Sequence, residues 1–176
     1  IDAQDGVTEQ DTKIAGLVHD EGKACVIVVN KWDAVEKETN TLEQFRKKVL
    51  DDLKFMDYAP VLFVSAMTGQ RVNTVLDMVG QVYAQYTKRV PTGVLNDVLA
   101  DAQAAMQPPA TNGRRLKIYY GTQQHMAPPT FIFFVNDEEL MHFAYQRYLE
   151  NYLRKTFDFT GTPIRLILRA KNREEK

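Results

Sequence analysis

The sequence predicts an α/β unit followed by a separate α+β unit. In the first half, short apolar runs rich in β-branched residues alternate with helical patterns, which is typical of strands joined by helices around a parallel sheet. In the second half the predicted order changes to helix, strand, strand, helix, strand. Charge changes as well, because residues 1–87 carry 9 basic and 14 acidic side chains and residues 88–176 carry 13 and 9. We therefore expect two domains, residues 1–90 and 91–176.

Helical spacing of Ile14, Leu17 and Val18 predicts a first helix, which Gly22 ends. The apolar run Val26–Val29 predicts a buried strand. The expected elements of the first half are a helix at 10–21, a strand at 24–29, a helix at 42–53, a strand at 61–65 and a helix at 72–83. Ile1-Asp2-Ala3 is interpreted as the end of a further strand, so the chain is expected to begin inside a larger protein.

Pro91 and Gly93 punctuate the chain where its charge balance changes, which indicates a domain boundary. The elements expected beyond it are a helix at 92–106, strands at 115–121 and 130–135, a helix at 137–155 and a strand at 163–169. The single cysteine, Cys25, cannot form an internal disulfide and fits a reducing cytoplasm. The near-neutral net charge of −1 gives no general indication of nucleic acid or membrane binding.

Polar residues follow both buried strands of the first half. Asn30, Lys31 and Asp33 follow the first strand, and ligands of open α/β sheets bind beyond such carboxyl ends. A carboxylate at position 33 can accept two parallel hydrogen bonds from a ring N–H and a neighbouring NH₂ group, which guanine offers and adenine does not. The Lys31 stem can cover a ring face, while Asn30 can bond a ring nitrogen or tie the loop. After the second strand, Ser65, Ala66 and Met67 offer backbone N–H groups to the guanine O6.

The two loops resemble the fourth and fifth boxes of translation-factor GTPases. The second half adds "RLKIYYGTQ", "PPTFIFFVND", "RYLENYLRKTF" and "GTPIRLILRAK", which resemble the C-terminal KH-like domain of the bacterial tandem-GTPase family Der/EngA. The resemblance covers essentially the whole chain. It implies a partial P-loop-type GTPase sheet with flanking helices, followed by an α+β KH-like domain of order α-β-β-α-β.

The resemblance also implies a function. Members of this family hydrolyse GTP with Mg²⁺ and act in biogenesis of the large (50S) ribosomal subunit, in the cytoplasm. The implied partners are guanine nucleotide (GTP or GDP), ribosomal RNA and proteins of that subunit, and the GTPase domains of the same protein through intramolecular docking. No membrane partner is implied.

A phosphate-binding loop is missing from the printed sequence. No G-x-x-x-x-G-K-[ST] string occurs, and the D-x-x-G matches at Asp77–Gly80 and Asp158–Gly161 are interpreted as chance. Because GTP hydrolysis depends on positioning the γ-phosphate and its metal, this chain is expected to be inactive alone, with no catalytic residue and no metal ligand of its own. The alternative hypothesis is a non-catalytic module that docks on ribosome, RNA or protein, with vestigial nucleotide loops.

RNA binding by the second half needs a different route from that of a standard KH module. Such modules clamp the RNA backbone with a G-x-x-G loop, which is absent here. The candidates for RNA contact are instead Arg147, Arg154 and Lys155, on one face of the helix at 137–155. The stripe of Met141, Tyr145, Tyr148, Leu149 and Tyr152 on the other face is expected to be core packing.

Overall fold

The computed structural model describes residues 1–111 and 113–171. The chain separates into two compact units. One comprises Ile1–Tyr86 together with Phe159–Pro163, and the other comprises Thr87–Asp158 and the chain from Ile164 onward. Residues 172–176 of the expected second domain lie outside the described residues. None of the helices described is long and apolar enough to cross a bilayer.

The first unit is a parallel sheet flanked by helices, as predicted. Its elements are α1 (Glu9–Asp20), β1 (Ile27–Val29), α2 (Thr41–Asp52), β2 (Val61–Phe63) and α3 (Asn73–Tyr86). Strands β1 and β2 pair in parallel, with Val29 opposite Phe63. The start of the chain runs beside β1, since the Asn30 N–H donates to the Ile1 carbonyl (2.8 Å) and the Ala3 N–H to the Asn30 carbonyl (2.9 Å). The start of the chain, β1 and β2 therefore run side by side and end at the same edge of the sheet.

Both strands of the first unit are shorter than the expected 24–29 and 61–65. The Cys25 N–H donates to the carbonyl of Gly161 (2.8 Å), and the Ser65 N–H donates to the carbonyl of Gln70 (3.0 Å). Loop contacts thus replace strand pairing at these positions. Buried side chains of the two strands, of α2 and of Leu53 directly after it form the core of the unit together with Trp32. Its main members are Ile27, Val29, Trp32, Val49, Leu53, Val61 and Phe63.

The second unit follows the predicted order of helix, strand, strand, helix, strand. Its elements are α4 (Thr92–Ala105), β3 (Ala110–Thr111), β4 (Arg114–Arg115), β5 (Ile118–His125), β6 (Thr130–Val135), α5 (Phe143–Phe157) and β7 (Arg165–Ala170). β6 is the central strand, antiparallel to β5 and parallel to β7. The small antiparallel hairpin β3–β4 was not predicted.

The helix expected at 137–155 begins later than predicted. The carboxylate of Asp137 accepts the Glu139 N–H (3.1 Å) and caps a short 3-10 turn, Glu138–Leu140. The backbone is extended again at His142, so α5 starts at Phe143.

The stripe on α5 that was expected to pack in the core does so in part, since Tyr145 and Leu149 are buried while Tyr148 and Tyr152 are half-buried. Tyr145 and Tyr148 donate their hydroxyls to backbone carbonyls of Met106 (3.0 Å) and Ala102 (2.8 Å) at the end of α4. Burial raises the pKa of Tyr145 to about 12 and also raises the pKa of Tyr148. Both phenols are thus held neutral in a packing role.

Candidate functional site

The loop after β1 is anchored by a buried tryptophan. Trp32 is 3% exposed, and its ring lies 4.5 Å from the ring of Phe63 and 5.5 Å from that of Phe45, centre to centre. The backbone N–H of Trp32 donates to the Val64 carbonyl (3.0 Å). The preceding Lys31 adopts a left-handed backbone (φ 60°), which turns the chain sharply out of β1. With Trp32 fixed inwards, its neighbours Lys31 and Asp33 are left at the surface.

Asp33 is a half-buried carboxylate that makes no hydrogen bond or ion pair with any residue in the described part of the chain. Both of its oxygens are therefore available to an external donor pair. A planar group with two adjacent N–H donors matches that acceptor geometry.

Lys31 is held by an acid from the start of the chain. Its Nζ lies 2.6 Å from Asp2 Oδ2. This hydrogen bond lowers the pKa of Asp2 and raises the pKa of Lys31, so both groups stay ionised. Because Asp2 takes the ammonium group, the aliphatic stem of Lys31 remains as part of the wall of the adjacent cavity.

The loop after β2 is joined to the first loop by a side chain. Asn30 Oδ1 accepts the backbone N–H of Ala66 (3.0 Å), so Asn30 ties the two loops together. Ser65 is completely buried, and its hydroxyl accepts the Thr68 N–H (3.2 Å). Ser65 therefore shapes the turn from inside, while Met67 is 86% exposed.

Only one of the three backbone N–H groups expected to be available in this loop, that of Met67, has no partner within the described chain. The N–H of Ser65 is used by Gln70 and that of Ala66 by Asn30. Met67 donates its N–H to no partner within the described chain. A carbonyl oxygen entering the site would meet Met67 first and would have to share the N–H of Ala66.

A cavity of about 380 Å³ lies between the two loops, and we call it the loop cavity. Its walls are formed by Gln4, Asn30, Lys31, Asp33, Ala34, Ala66 and Met67. Five of the six predicted site residues line it, and Ser65 supports it from beneath. Sequence reasoning missed Gln4 and Ala34. The sequence does carry a signal for Gln4, because it directly follows the predicted strand end Ile1-Asp2-Ala3, and the carboxyl ends of parallel strands share one edge of a sheet.

The loop cavity supplies recognition groups and no metal centre. Among the residues described, no three of the types His, Cys, Asp and Glu are grouped so that they could hold a metal ion. The donor set therefore does not fit Mg²⁺. The cavity offers the free carboxylate of Asp33, two loops held together by the hydrogen bond between Asn30 and Ala66, and apolar wall surface. These features suit a flat heterocycle that carries hydrogen-bond donors along one edge.

The three residues predicted to contact RNA differ in exposure. Arg147 and Lys155 are exposed on α5. Arg154 is only 16% exposed at its side chain, and its Nη2 lies 3.0 Å from Glu150 Oε1. This intrahelical ion pair argues against Arg154 as a phosphate contact, because its charge is already neutralised by the acid one turn earlier.

Comparison with known proteins relates both halves to GTPases. Residues 89–169 match the family described as KH-domain-like of EngA bacterial GTPase enzymes, C-terminal, and residues 1–85 match the elongation factor Tu GTP binding domain. Proteins named GTPase Der are 58% identical over 99% of this chain in Acetivibrio thermocellus and 55% identical over 97% in Alkaliphilus oremlandii. The one from Leuconostoc citreum is 52% identical over 97% of the chain. The chain spans about 40% of the length of these relatives.

Proposed function

Because the chain belongs to the Der/EngA family of bacterial GTPases and corresponds to their C-terminal part, we propose that its loop cavity binds the guanine base of GTP and GDP. The fold is that of a partial GTPase sheet followed by a KH-like domain, for which we propose the ranges 1–90 and 91–176. One observation carries the proposal. The free carboxylate of Asp33 faces a cavity whose two walls, the loops after β1 and β2, are tied together by Asn30 and Ala66.

Each cavity residue has a distinct part in the proposal. Asp33 accepts the guanine N1–H and the exocyclic NH₂, which adenine cannot offer as a pair. The stem of Lys31 covers one face of the base while Asp2 holds its ammonium group. Met67 and Ala66 provide N–H groups for O6, and Ser65 keeps their loop in shape. Asn30 positions this second wall.

For the complete GTPase we propose hydrolysis of GTP in large-subunit ribosome biogenesis in the cytoplasm. Phosphates and Mg²⁺ would be held by parts of the protein outside residues 1–176, since this sequence contains no phosphate loop. Residues 1–176 alone are therefore proposed to bind guanine nucleotides weakly and not to hydrolyse them. The KH-like unit is proposed to dock on the large subunit and on the GTPase domains, with Arg147 and Lys155 as phosphate contacts.

The test is Asp33→Asn in the complete GTPase that contains this chain. The amide no longer matches two donors but can meet a ring carbonyl, so preference should move from guanine toward xanthine nucleotides. Losing a charge-assisted pair should weaken GTP binding by roughly 1.5–3 kcal/mol, about 10- to 150-fold. Titration calorimetry with GTP and xanthosine triphosphate measures both affinities.

Asp52→Asn, which neutralises an exposed acid at the end of α2, is the matched control and should leave both affinities unchanged. If Asp33→Asn also leaves GTP affinity unchanged and gains nothing for xanthosine triphosphate, the loop cavity does not read the base. The docking module with vestigial nucleotide loops would then be the better description.

A further inference from the structure

A short segment between α5 and β7 packs with the first unit, although both of these flanking elements belong to the second. It comprises Phe159–Pro163, and we call it the strap. Phe159 and Thr162 expose none of their surface, and the Phe159 N–H donates to Gln85 Oε1 in α3 (3.3 Å). The proposed function assigns the strap no role.

Gly161 joins the starts of the two strands of the first unit. Its carbonyl accepts the Cys25 N–H (2.8 Å) just before β1, and its N–H donates to the Tyr58 carbonyl (2.8 Å) just before β2. At the other end of these strands, the hydrogen bond from the Ala66 N–H to Asn30 joins the two walls of the loop cavity. Each strand has three residues and spans about 10 Å, so the strap and the loop cavity hold opposite ends of one short strand pair.

The chain enters the strap through a strained backbone. Asp158 has φ 77° and ψ −86°, and Phe159 has φ 58°, which are conformations that residues with a Cβ rarely adopt. Two successive residues of this kind cost free energy, which the burial of the Phe159 ring and the two hydrogen bonds of Gly161 offset. The docked strap therefore competes with a released form, in which the backbone relaxes and the Phe159 ring meets water.

Release of the strap loosens the strand pair. The Cys25 N–H and the Tyr58 carbonyl then lose their shared partner, and the bond from the Ile27 N–H to the Pro60 carbonyl (2.9 Å) is left to hold the starts of the strands together. Because the two walls of the loop cavity follow the ends of these strands directly, the spacing of the walls depends on how firmly the strands are held. A base that contacts both walls binds the firmly held arrangement better.

We propose that the strap docks against backbone strain and that its docking is coupled to guanine-nucleotide binding in the loop cavity, each favouring the other. The inference rests on the proposed guanine binding and adds a regulation of that site. The coupling is reciprocal, so docking raises the affinity for nucleotide by the factor by which nucleotide disfavours release. Since the strap is continuous with α5 and β7, it is a chain connection through which the second unit responds to the nucleotide.

The experiment is amide hydrogen exchange of residues 1–176, followed by nuclear magnetic resonance, with and without saturating GDP. The Gly161 and Cys25 N–H groups report release of the strap, and the Val64 N–H, which donates to the Val29 carbonyl (2.9 Å), reports unfolding of the sheet. Without nucleotide, Gly161 and Cys25 should exchange faster than Val64, because the strap opens locally. GDP should slow the exchange of Gly161 and Cys25 about 5- to 150-fold. The Gly121 N–H of the second unit is the control and should exchange at an unchanged rate.

Two sets of variants test the strap itself. Asp158→Gly and Asp158→Ala both remove the carboxylate, and only glycine relieves the strained backbone, so the Gly161 N–H should exchange about 5- to 30-fold more slowly in Asp158→Gly. In the complete GTPase that contains this chain, Phe159→Ala removes the buried ring and should weaken GDP binding about 5- to 150-fold in titration calorimetry. Phe143→Ala, at a ring that is 76% exposed on α5, is the matched control and should bind GDP like the parent.

The outcomes separate this inference from the proposed function. If GDP shifts no amide of the loop cavity, guanine binding fails and the inference fails with it. If GDP binds there but leaves the exchange of Gly161 and Cys25 unchanged, or if these amides exchange no faster than Val64 without GDP, the coupling is overturned and guanine binding stands. Equal exchange in Asp158→Gly and Asp158→Ala also overturns the inference, because the strap then docks without strain. If circular dichroism shows that Phe159→Ala is unfolded, the exchange rates of the parent decide.

Discussion

Gly161→Ala should destabilise the first unit strongly, although it adds a single methyl group. Gly161 lies in the Phe159–Pro163 segment that packs with this unit and has a left-handed backbone (φ 69°). A Cβ there would lie 2.5 and 2.8 Å from the two methyl groups of Val82 and 2.9 Å from the carbonyl oxygen of Cys25. Distances below about 3 Å force one of these groups to move.

Neither Val82 nor the segment that contains Gly161 can move without a loss of stability. Val82 is 4% exposed in α3, and a β-branched side chain in a helix has essentially one rotamer. If the segment moves instead, it strains the hydrogen bonds from the Gly161 N–H to the Tyr58 carbonyl and from the Cys25 N–H to the Gly161 carbonyl, both 2.8 Å. Overpacking costs about 1–3 kcal/mol and a left-handed alanine about 1–2 kcal/mol. We therefore expect a loss of about 2–5 kcal/mol.

Urea unfolding followed by Trp32 fluorescence measures this loss, because Trp32 is the single tryptophan and is buried in the first unit. With a denaturant dependence of about 2 kcal/mol per molar, the unfolding midpoint should fall by at least 1 M. Gly80→Ala is the matched control. Gly80 lies in α3, where an added Cβ meets nothing, so the substitution should stabilise by about 0.5–1 kcal/mol. A Gly161→Ala midpoint within about 0.3 M of the parent would refute the packing of this segment.

Two further predictions concern buried polar groups of the second unit. The buried side chain of Gln123 accepts the Val90 N–H (2.7 Å) and donates to the Lys88 carbonyl (2.9 Å). Gln123→Met should therefore lower the free energy of unfolding by about 2–5 kcal/mol, measured by urea unfolding followed by circular dichroism. Gln124 is exposed, so the control Gln124→Met should change the free energy of unfolding by less than about 0.5 kcal/mol. Equal effects would contradict this account. Burial raises the pKa of Tyr145 to about 12, whereas the phenol ionises near pH 10 in the unfolded chain. The stability that the buried neutral phenol contributes is therefore complete below pH 10 and is lost as pH rises toward 12. Tyr145→Phe should therefore show a smaller loss of thermal stability between pH 10 and 12 than the parent, and an unchanged pH dependence would show that Tyr145 does not titrate as a buried phenol.

Strands and helices with strong patterns were predictable, and so was the position of the loop cavity. Apolar runs such as Val26–Val29 have few alternatives to a buried strand, and polar residues directly after them must lie at the strand ends. Because β1 and β2 are parallel, this alone brings Asp33 and Met67 to one edge.

Features that depend on contacts distant in sequence were not predictable. The hairpin of β3 and β4 has two residues per strand, too few to show an alternating pattern. Phe159–Pro163 packs with the first unit because Gly161 accepts the Cys25 N–H and donates to Tyr58, and no local periodicity encodes such a return. The i,i+4 spacing of Glu150 and Arg154 is visible in the sequence and allows an ion pair. Spacing alone does not show that the Arg154 side chain is largely buried, which is what argues against a phosphate contact.

The central claim is that the loop cavity recognises guanine, and nuclear magnetic resonance tests it most directly. Titration of ¹⁵N-labelled residues 1–176 with GDP should shift the backbone amides of Lys31, Asp33, Ala66 and Met67, with a dissociation constant weaker than micromolar because no phosphate loop contributes. ADP at the same concentrations should leave these amides unmoved, since adenine lacks the paired donors that Asp33 accepts. Equal shifts with ADP, or GDP shifts confined to residues outside the loop cavity, would contradict the account.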